Sequence, residues 1–266
     1  MQALDRLDPE PLTFVSSRLA GKVIFVTGAS TGIGAAAVKR FAAEGASVVA
    51  ASRRLALIEA VVEEVKAAGG ESMAIRCDVR DEASVQAAIA ATVERYGRLD
   101  GAFNNAGMGG SGRLPHQVPT EAFDQVIATN LRGPFLCMKY EIAQMIEAGG
   151  GSIVNTSSIG GLVGGARNAD YGTSKWGLIG LTKCAAVAYA EKDIRVNAIA
   201  PASTHSEMFH LWLPTPERRA EVANYSPMKY IAHPDDMARA ALFLLSDEAR
   251  WITGIVLPCD GGSSAD

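Results

Sequence analysis

One stretch limits the fold more than any other. Lys22 to Thr27 (KVIFVT) is a short apolar, β-branched run that breaks into Gly28-Ala29-Ser30-Thr31-Gly32-Ile33-Gly34 and continues as a helical pattern to Glu44. Strand, glycine loop and helix in that order let the backbone approach a pyrophosphate, whose charge then sits against the free N–H groups and positive dipole end of the helix. The alternation recurs along the chain. Strands are expected at Ala46 to Ala51, Glu71 to Cys77, Asp100 to Asn104, Ser152 to Ser157, Asp193 to Ala200 and Gly254 to Pro258. Helices are expected at Leu55 to Ala68, Glu82 to Arg95, Thr120 to Ala148, Tyr171 to Glu191 and Asp235 to Leu245, the third bent or restarted by Gly133-Pro134. Seven apolar strands alternating with helices demand a mostly parallel sheet covered on both faces, with right-handed crossovers. The fold class is therefore α/β, a single doubly wound domain over residues 20–266 behind an N-terminal extension, 1–19.

Composition removes several classes of function. The chain has 266 residues, 48% hydrophobic and 20% charged, enough for one substantial core. Its net charge of −4, with no basic stripe interleaved with aromatics, argues against a nucleic-acid partner. Met1 to Ser17 carries acids and prolines instead of a basic region and an apolar stretch, so no secretory signal is expected. No apolar run reaches the ~18 residues of a membrane span. Cys77, Cys137, Cys184 and Cys259 lack Cys-x-x-Cys spacing and read as reduced core residues of a cytoplasmic protein, with no metal site.

The chemistry is concentrated in Tyr171-Gly172-Thr173-Ser174-Lys175, with Ser158 upstream across a glycine-rich segment. Residues 171 and 175 share one face of a helix. A free phenol, with a pKa near ~10, is a poor acid or base at neutral pH, and an ammonium beside it favours the phenolate. Ser158 is placed to hold a substrate oxygen, and Ser157 is its neighbouring competitor.

This pattern resembles the short-chain dehydrogenase/reductase family, in which a serine, a Tyr-x-x-x-Lys tyrosine and that lysine catalyse carbonyl reduction or alcohol oxidation. The glycine spacing agrees with the family's Thr-Gly-x-x-x-Gly-Ile-Gly signature, Thr27 to Gly34, and Asn104-Asn105-Ala106-Gly107 with its Asn-Asn-Ala-Gly motif. The resemblance spans about residues 20–262 and implies a Rossmann fold with a nicotinamide dinucleotide held by Gly28, Ser30, Thr31, Gly32, Ile33 and Gly34. It implies adenine contacts from Asp78 and Val79, ribose contacts near Asn105, Ala106 and Gly107, and nicotinamide contacts from Tyr171, Lys175, Pro201 and Ser206. Ala202 replaces the family's usual glycine after Pro201, and Ser206 stands where a threonine is usual. Asn130 matches the asparagine that links the lysine to solvent through a water. No acid ends the second strand: Ser52 is followed by Arg53 and Arg54, as in members that prefer NADP(H) to NAD(H), because a guanidinium meets the extra phosphate with paired hydrogen bonds. The family also implies a homo-oligomer, dimer or tetramer, built through the two long helices.

Expected, then, is a carbonyl reductase acting on a ketone or secondary alcohol, with an NAD-dependent alcohol dehydrogenase as the alternative. Met208 to Tyr230, rich in aromatics, is placed to cover an apolar substrate or to pack against the body or another subunit. Gly28 to Gly32 also satisfies G-x-S-x-G, the nucleophile elbow of serine hydrolases. Ser30 with one of His116, His205, His210 and His233 is the rival reading, and it leaves Tyr171 and Lys175 unexplained. A non-catalytic cofactor sensor would have no use for all three of Ser158, Tyr171 and Lys175.

Overall fold

The computed structural model describes residues 17–265, so most of the expected N-terminal extension, residues 1–16, lies outside the described residues. Seven strands form one parallel sheet: β1 (Val23–Thr27), β2 (Ser47–Ser52), β3 (Glu71–Arg76), β4 (Gly101–Asn104), β5 (Gly151–Thr156), β6 (Ile194–Pro201) and β7 (Val256–Cys259). Their order across the sheet is β3-β2-β1-β4-β5-β6-β7. Every strand lies within two residues of its sequence-based expectation.

The helices are α1 (Gly32–Ala43), α2 (Leu55–Ala67), α3 (Glu82–Tyr96), α4 (Thr120–Ile127), α5 (Gly133–Ala148), α6 (Ala169–Tyr189), α7 (Glu207–Trp212), α8 (Pro216–Tyr225) and α9 (Pro234–Leu245). Strand side chains alternate between two cores. Ile24 and Val26 of β1 pack with α1, α2 and α9, while Phe25 faces the other side, with α3, α5 and α6. Both faces are dry, which is why β1 reads VIFVT without a polar alternation and is buried throughout. Leu19 is fully buried in the first of these cores.

Two elements differ from expectation. The long helix is broken one turn before Gly133-Pro134, where Ala128–Arg132 forms a π-helical turn between α4 and α5. Gly133 N–H bonds back to Ala128 O in that turn. Pro134 then stands near the start of α5, where its missing N–H costs little. Met208 to Tyr230, to which no helix was assigned from the sequence, holds most of α7 and all of α8, each helix opened by a side chain that accepts a backbone N–H: Ser206 from Phe209 and Thr215 from Arg218.

Of the four cysteines, Cys77 and Cys137 are core residues as expected, with burial pushing the Cys77 thiol up to about 11. Cys184 is exposed on α6, and Cys259 is half-buried. Among the described residues no helix is long and apolar enough to cross a membrane, and no group of three histidine, cysteine or acidic residues is placed to hold a metal ion.

The direction of the chain reverses between β1 and β4, which are neighbours with their C-terminal ends on the same edge. In open parallel sheets the crevice at such a reversal is where ligands bind.

Candidate active site

The loops leaving β1 and β4 form one unit. Gly28 has φ +66°, and a side chain there would meet the backbone of Ala106 at 2.8 Å. A side chain at Gly34 would meet Gly28 O at 2.2 Å, so the loop can double back on itself only with hydrogen at both positions. Thr27 Oγ1 accepts the N–H groups of Asn105 and Ala106 at 3.0 and 3.1 Å, and Asn105 Nδ2 donates to Thr27 O at 3.3 Å. Thr31 opens α1 in extended conformation without capping it through its side chain, so the first-turn N–H groups of Gly32, Ile33 and Gly34 are left to a ligand. This cradle suits the pyrophosphate of a dinucleotide.

At the end of β2 the two arginines divide. Arg54, not Arg53, reaches the glycine loop: its Nη2 donates to Ser30 Oγ at 2.8 Å and Thr31 Oγ1 at 3.1 Å, and its Nη1 to Glu207 of α7 at 2.7 Å. Arg53 is exposed and lines a cavity of about 580 Å³ with Arg76, Asp78, Arg80, Asp81 and Ser84. Asp78 is held by Arg80 at 2.7 Å, and that hydrogen bond keeps its carboxyl below the usual range. Val79 is buried against Gly133, where a side chain would come within 2.9 Å of Val79 Cγ2. Val79 is thus committed largely to packing between β3 and α5.

The hydrolase reading fails at Ser30. Its Oγ takes two N–H groups of the Arg54 guanidinium, a permanent cation where a nucleophile needs a base. His205 and His210 instead stack on each other, ring centroids 5.5 Å apart, beside Phe209.

Across the crevice, Tyr171 and Lys175 lie one turn apart in α6. Lys175 is 4% exposed, donates from Nζ to Thr156 O at 2.8 Å, and sits 5.5 Å from the centre of the Tyr171 ring. Ser158, extended at the end of β5, accepts Gly160 N–H at 3.1 Å, and a side chain at Gly160 would meet both Ser158 Oγ, at 3.6 Å, and Tyr171 Cε1, at 3.5 Å. Ser157 points the other way and donates to Lys175 O at 3.1 Å, deep in the protein. Ser158 therefore lies beside the tyrosine ring, while Ser157 fixes α6.

The electrostatics run against one expectation. Burial pushes the Tyr171 phenol up, and the hydrogen bond from Ser158 pulls it only part of the way back. Lys175 lies over the ring, and burial lowers its own ammonium from 10.5 to about 8. On balance the phenol stays above its ordinary range and keeps its proton at neutral pH.

Asn130 is fully buried in the π turn. Its Oδ1 accepts Met108 N–H at 2.8 Å, and its Nδ2 donates to Met108 O at 2.9 Å and Ser174 Oγ at 3.2 Å. The side chain is spent on fixing the segment after β4 beside α6. Gly107 lies there, with space for a side chain only 3.7 Å from Lys175 Nζ. Pro134 has no N–H to offer the Asn130 carbonyl four residues back. Pro201 ends β6 beside β7, and Ser206 packs on Gly32, where a side chain would meet its Cβ at 3.0 Å.

Sequence reading missed two buried acids. Asp170, one residue before the tyrosine, is a common sight at a helix start, and only the fold shows what it holds. Glu141 of α5 hides in an apolar helix and accepts Asn104 Nδ2 at 2.9 Å.

Comparison with known proteins agrees with this geometry. A family described as enoyl-(acyl carrier protein) reductase matches residues 28–264. The A-factor type gamma-butyrolactone 1'-reductase (1S-forming) of Streptomyces virginiae is 43% identical over 92% of this chain and 96% of its own length. A 2,5-dichloro-2,5-cyclohexadiene-1,4-diol dehydrogenase of Sphingobium indicum is 41% identical over 94% of this chain and 99% of its own. The crystal structure of levodione reductase superposes with a TM-score of 0.90 at 36% identity, covering 93% of this chain and 99% of that one. With the parallel sheet, the glycine cradle and the Ser158, Tyr171 and Lys175 cluster in place, the chain belongs to the short-chain dehydrogenase/reductase family, the classical oxidoreductases that act on CH–OH and C=O groups with a nicotinamide cofactor.

Proposed function

We propose that this protein is an NADP(H)-dependent carbonyl reductase whose substrate is a compact cyclic ketone, interconverted with its secondary alcohol. The observation that carries the reading is the clustering of the Tyr171 ring with Ser158 on one side and the buried Lys175 ammonium 5.5 Å from its centre. The nicotinamide supplies or accepts the hydride when bound. Tyr171, still protonated at neutral pH, is poised to give its proton to a carbonyl oxygen. Ser158 holds that oxygen in line, and the Lys175 ammonium offsets the charge left on the phenolate as the proton leaves. Asn130 keeps the adjoining segment in register with Lys175 and is assigned the relay to solvent through its carbonyl.

Three observations support the finer points. The end of β2 carries Ser52 with two arginines, and Arg53 shares its cavity with Arg76 and Arg80, a setting suited to an added phosphate. The relatives named for a cyclohexadienediol and a gamma-butyrolactone carry ring compounds in their names, which matches the apolar Met208 beside Gly109 in the segment after β4. Exposed Phe135 and Ile146 on α5 and Trp176 and Val187 on α6 suit a homo-oligomer joined through these helices, in the cytoplasm.

The direct test is fluorescence titration of NADPH and NADH into wild-type and Arg53→Ala protein, followed by turnover of cyclohexane-1,4-dione. Tighter binding of NADPH, weakened by Arg53→Ala, is expected. Tighter binding of NADH would make the protein the NAD-dependent alcohol dehydrogenase instead, a reading that the Glu207 carboxylate on Arg54 favours. Tyr171→Phe is expected to lower kcat by at least ~10²-fold, the range of a lost general acid, with an unchanged NADPH Kd. A rate near wild type would remove Tyr171 from the chemistry.

A further inference from the structure

The segment that leaves β4 forms one wall of the crevice beside Tyr171. It is pinned at Met108, whose N–H and C=O are both taken by the Asn130 side chain. It is pinned again at Ser111, whose N–H donates to Asp170 Oδ2 at 2.7 Å. Between the pins, Gly109 and Gly110 pass between α6 and α7. A side chain at Gly110 would strike Asp170 Oδ1 at 2.5 Å and Tyr171 Cβ at 2.9 Å, and one at Gly109 would touch Met208 at 3.9 Å. The wall therefore lies against the catalytic tyrosine on one side and the covering helix on the other.

Asp170 is fully buried, with Oδ1 accepting the Tyr171 N–H at 2.8 Å while Oδ2 holds Ser111. Burial pushes its carboxyl up, but the N–H groups of Ser111 and Tyr171 outweigh that cost and leave it below its usual range, charged at neutral pH. Placed in the first turn of α6, it also meets the positive end of the helix. A buried charge held in this way is costly to misplace, so it sets the wall rather than following it.

We propose that Asp170 is a positioning residue that clamps residues 108–111 against Tyr171 and so fixes the width of the substrate pocket, making it a determinant of which ketones reach the tyrosine. The proposal rests on the carbonyl-reductase reading for its kinetic consequence, while its structural half stands apart from it. Asp170→Asn keeps the size of the side chain but turns one acceptor into a donor facing an N–H. Ser111→Pro removes the N–H from the other side and leaves Asp170 untouched.

Amide hydrogen exchange at residues 108–111 separates the two halves. In Asp170→Asn, exchange at Ser111 is expected to rise about tenfold, the scale of one lost hydrogen bond to a charged group. With cyclohexane-1,4-dione as the probe substrate, KM is expected to rise about tenfold in both variants, with kcat changed by less than about threefold and NADPH Kd unchanged. The double variant should be no worse than the worse single one. Unchanged exchange at Ser111 in Asp170→Asn would overturn the clamp whatever the substrate. So would kcat, KM and Kd failing together in both variants, the pattern of a merely damaged fold. If wild-type protein turns over no ketone while exchange responds as expected, the clamp stands and the carbonyl-reductase reading falls.

Discussion

Lys175 carries a cost that its position explains. Burial moves its pKa from 10.5 to about 8, so the folded protein binds this proton less tightly than the unfolded chain does. Stability from this group is therefore lowest below pH 8 and rises between pH 8 and 10.5, a difference of roughly 3 kcal/mol. A core that gained nothing from the charge would favour methionine there. We expect Lys175→Met to raise Tm near neutral pH and to remove turnover. For ketone reduction, where both the phenol proton and the ammonium are needed, kcat/KM should be level below pH 8 and fall above it. Lys175→Arg, whose guanidinium stays charged, should lose that break even at a reduced rate. An identical break in the arginine variant would assign it to another group. The grouping of Ser158, Tyr171 and Lys175 was legible in the sequence because spacing on one helix and the end of one strand is a local property. The direction of the tyrosine shift was not, because it depends on how deeply α6 is covered and on where along the ring the ammonium lies. Asp170 was equally illegible, since its partner Ser111 comes from another loop.

At the level of elements, strand and helix periodicity located the sheet to within two residues, yet it misplaced the break in the long helix. Gly133-Pro134 is the visible breaker, and the irregularity it accompanies lies in the preceding turn, Ala128–Arg132, where Asn130 must face the segment after β4. The same helix shows a second feature that periodicity cannot report. Glu141 of α5 is fully buried beneath the end of β4, and its Oε1 and Asn104 Oδ1 are both buried without a partner. Two acceptors left over in one acid and amide pair call for a proton between them. Burial accordingly raises Glu141 from 4.5 to about 8, so the folded protein keeps this proton at neutral pH. The unfolded chain loses it above 4.5, and stability from this group is full below pH 4.5 and falls until pH 8, by roughly 3 kcal/mol at pH 7. Glutamine supplies the N–H without the titration. Glu141→Gln is expected to match wild type in Tm near pH 5 and to exceed it at pH 8.5. Parallel Tm curves for the two proteins would show that the acid is not the group that titrates.

Across the whole molecule, the glycine loop and α7 are one connected surface. Ser206 packs on Gly32, and Glu207 takes Arg54 at 2.7 Å and Thr31 Oγ1 at 3.3 Å, so α7 is tied to the glycine loop more than 150 residues earlier in the chain. Sequence alone placed Arg53 and Arg54 together at the end of a strand and could not divide them, because the division is made by Ser30 and Thr31 of the glycine loop and by Glu207 of α7, all distant in the chain. It likewise showed the aromatic run after β6 without the helices into which α7 and α8 sort it, with Phe209 and Leu213 inward and Leu211, Trp212 and Tyr225 outward. The tie has a consequence for cofactor choice. Arg54 cannot give its full charge to a phosphate while the Glu207 carboxylate holds it, and Glu207 is drawn below its usual pKa range by that same guanidinium. Glu207→Gln leaves the helix start intact and weakens the tie. It should tighten NADPH by up to about fivefold, the span of an exposed ion pair, while NADH, lacking the phosphate, is nearly unaffected. The gain should shrink as salt rises, since both charges are half-exposed. If the variant tightens NADPH and NADH equally, Glu207 acts through the packing of α7 on the glycine loop and not on the phosphate. If it weakens NADPH alone, Arg54 needs Glu207 to aim it, and the carboxylate belongs to the phosphate site as its positioning partner.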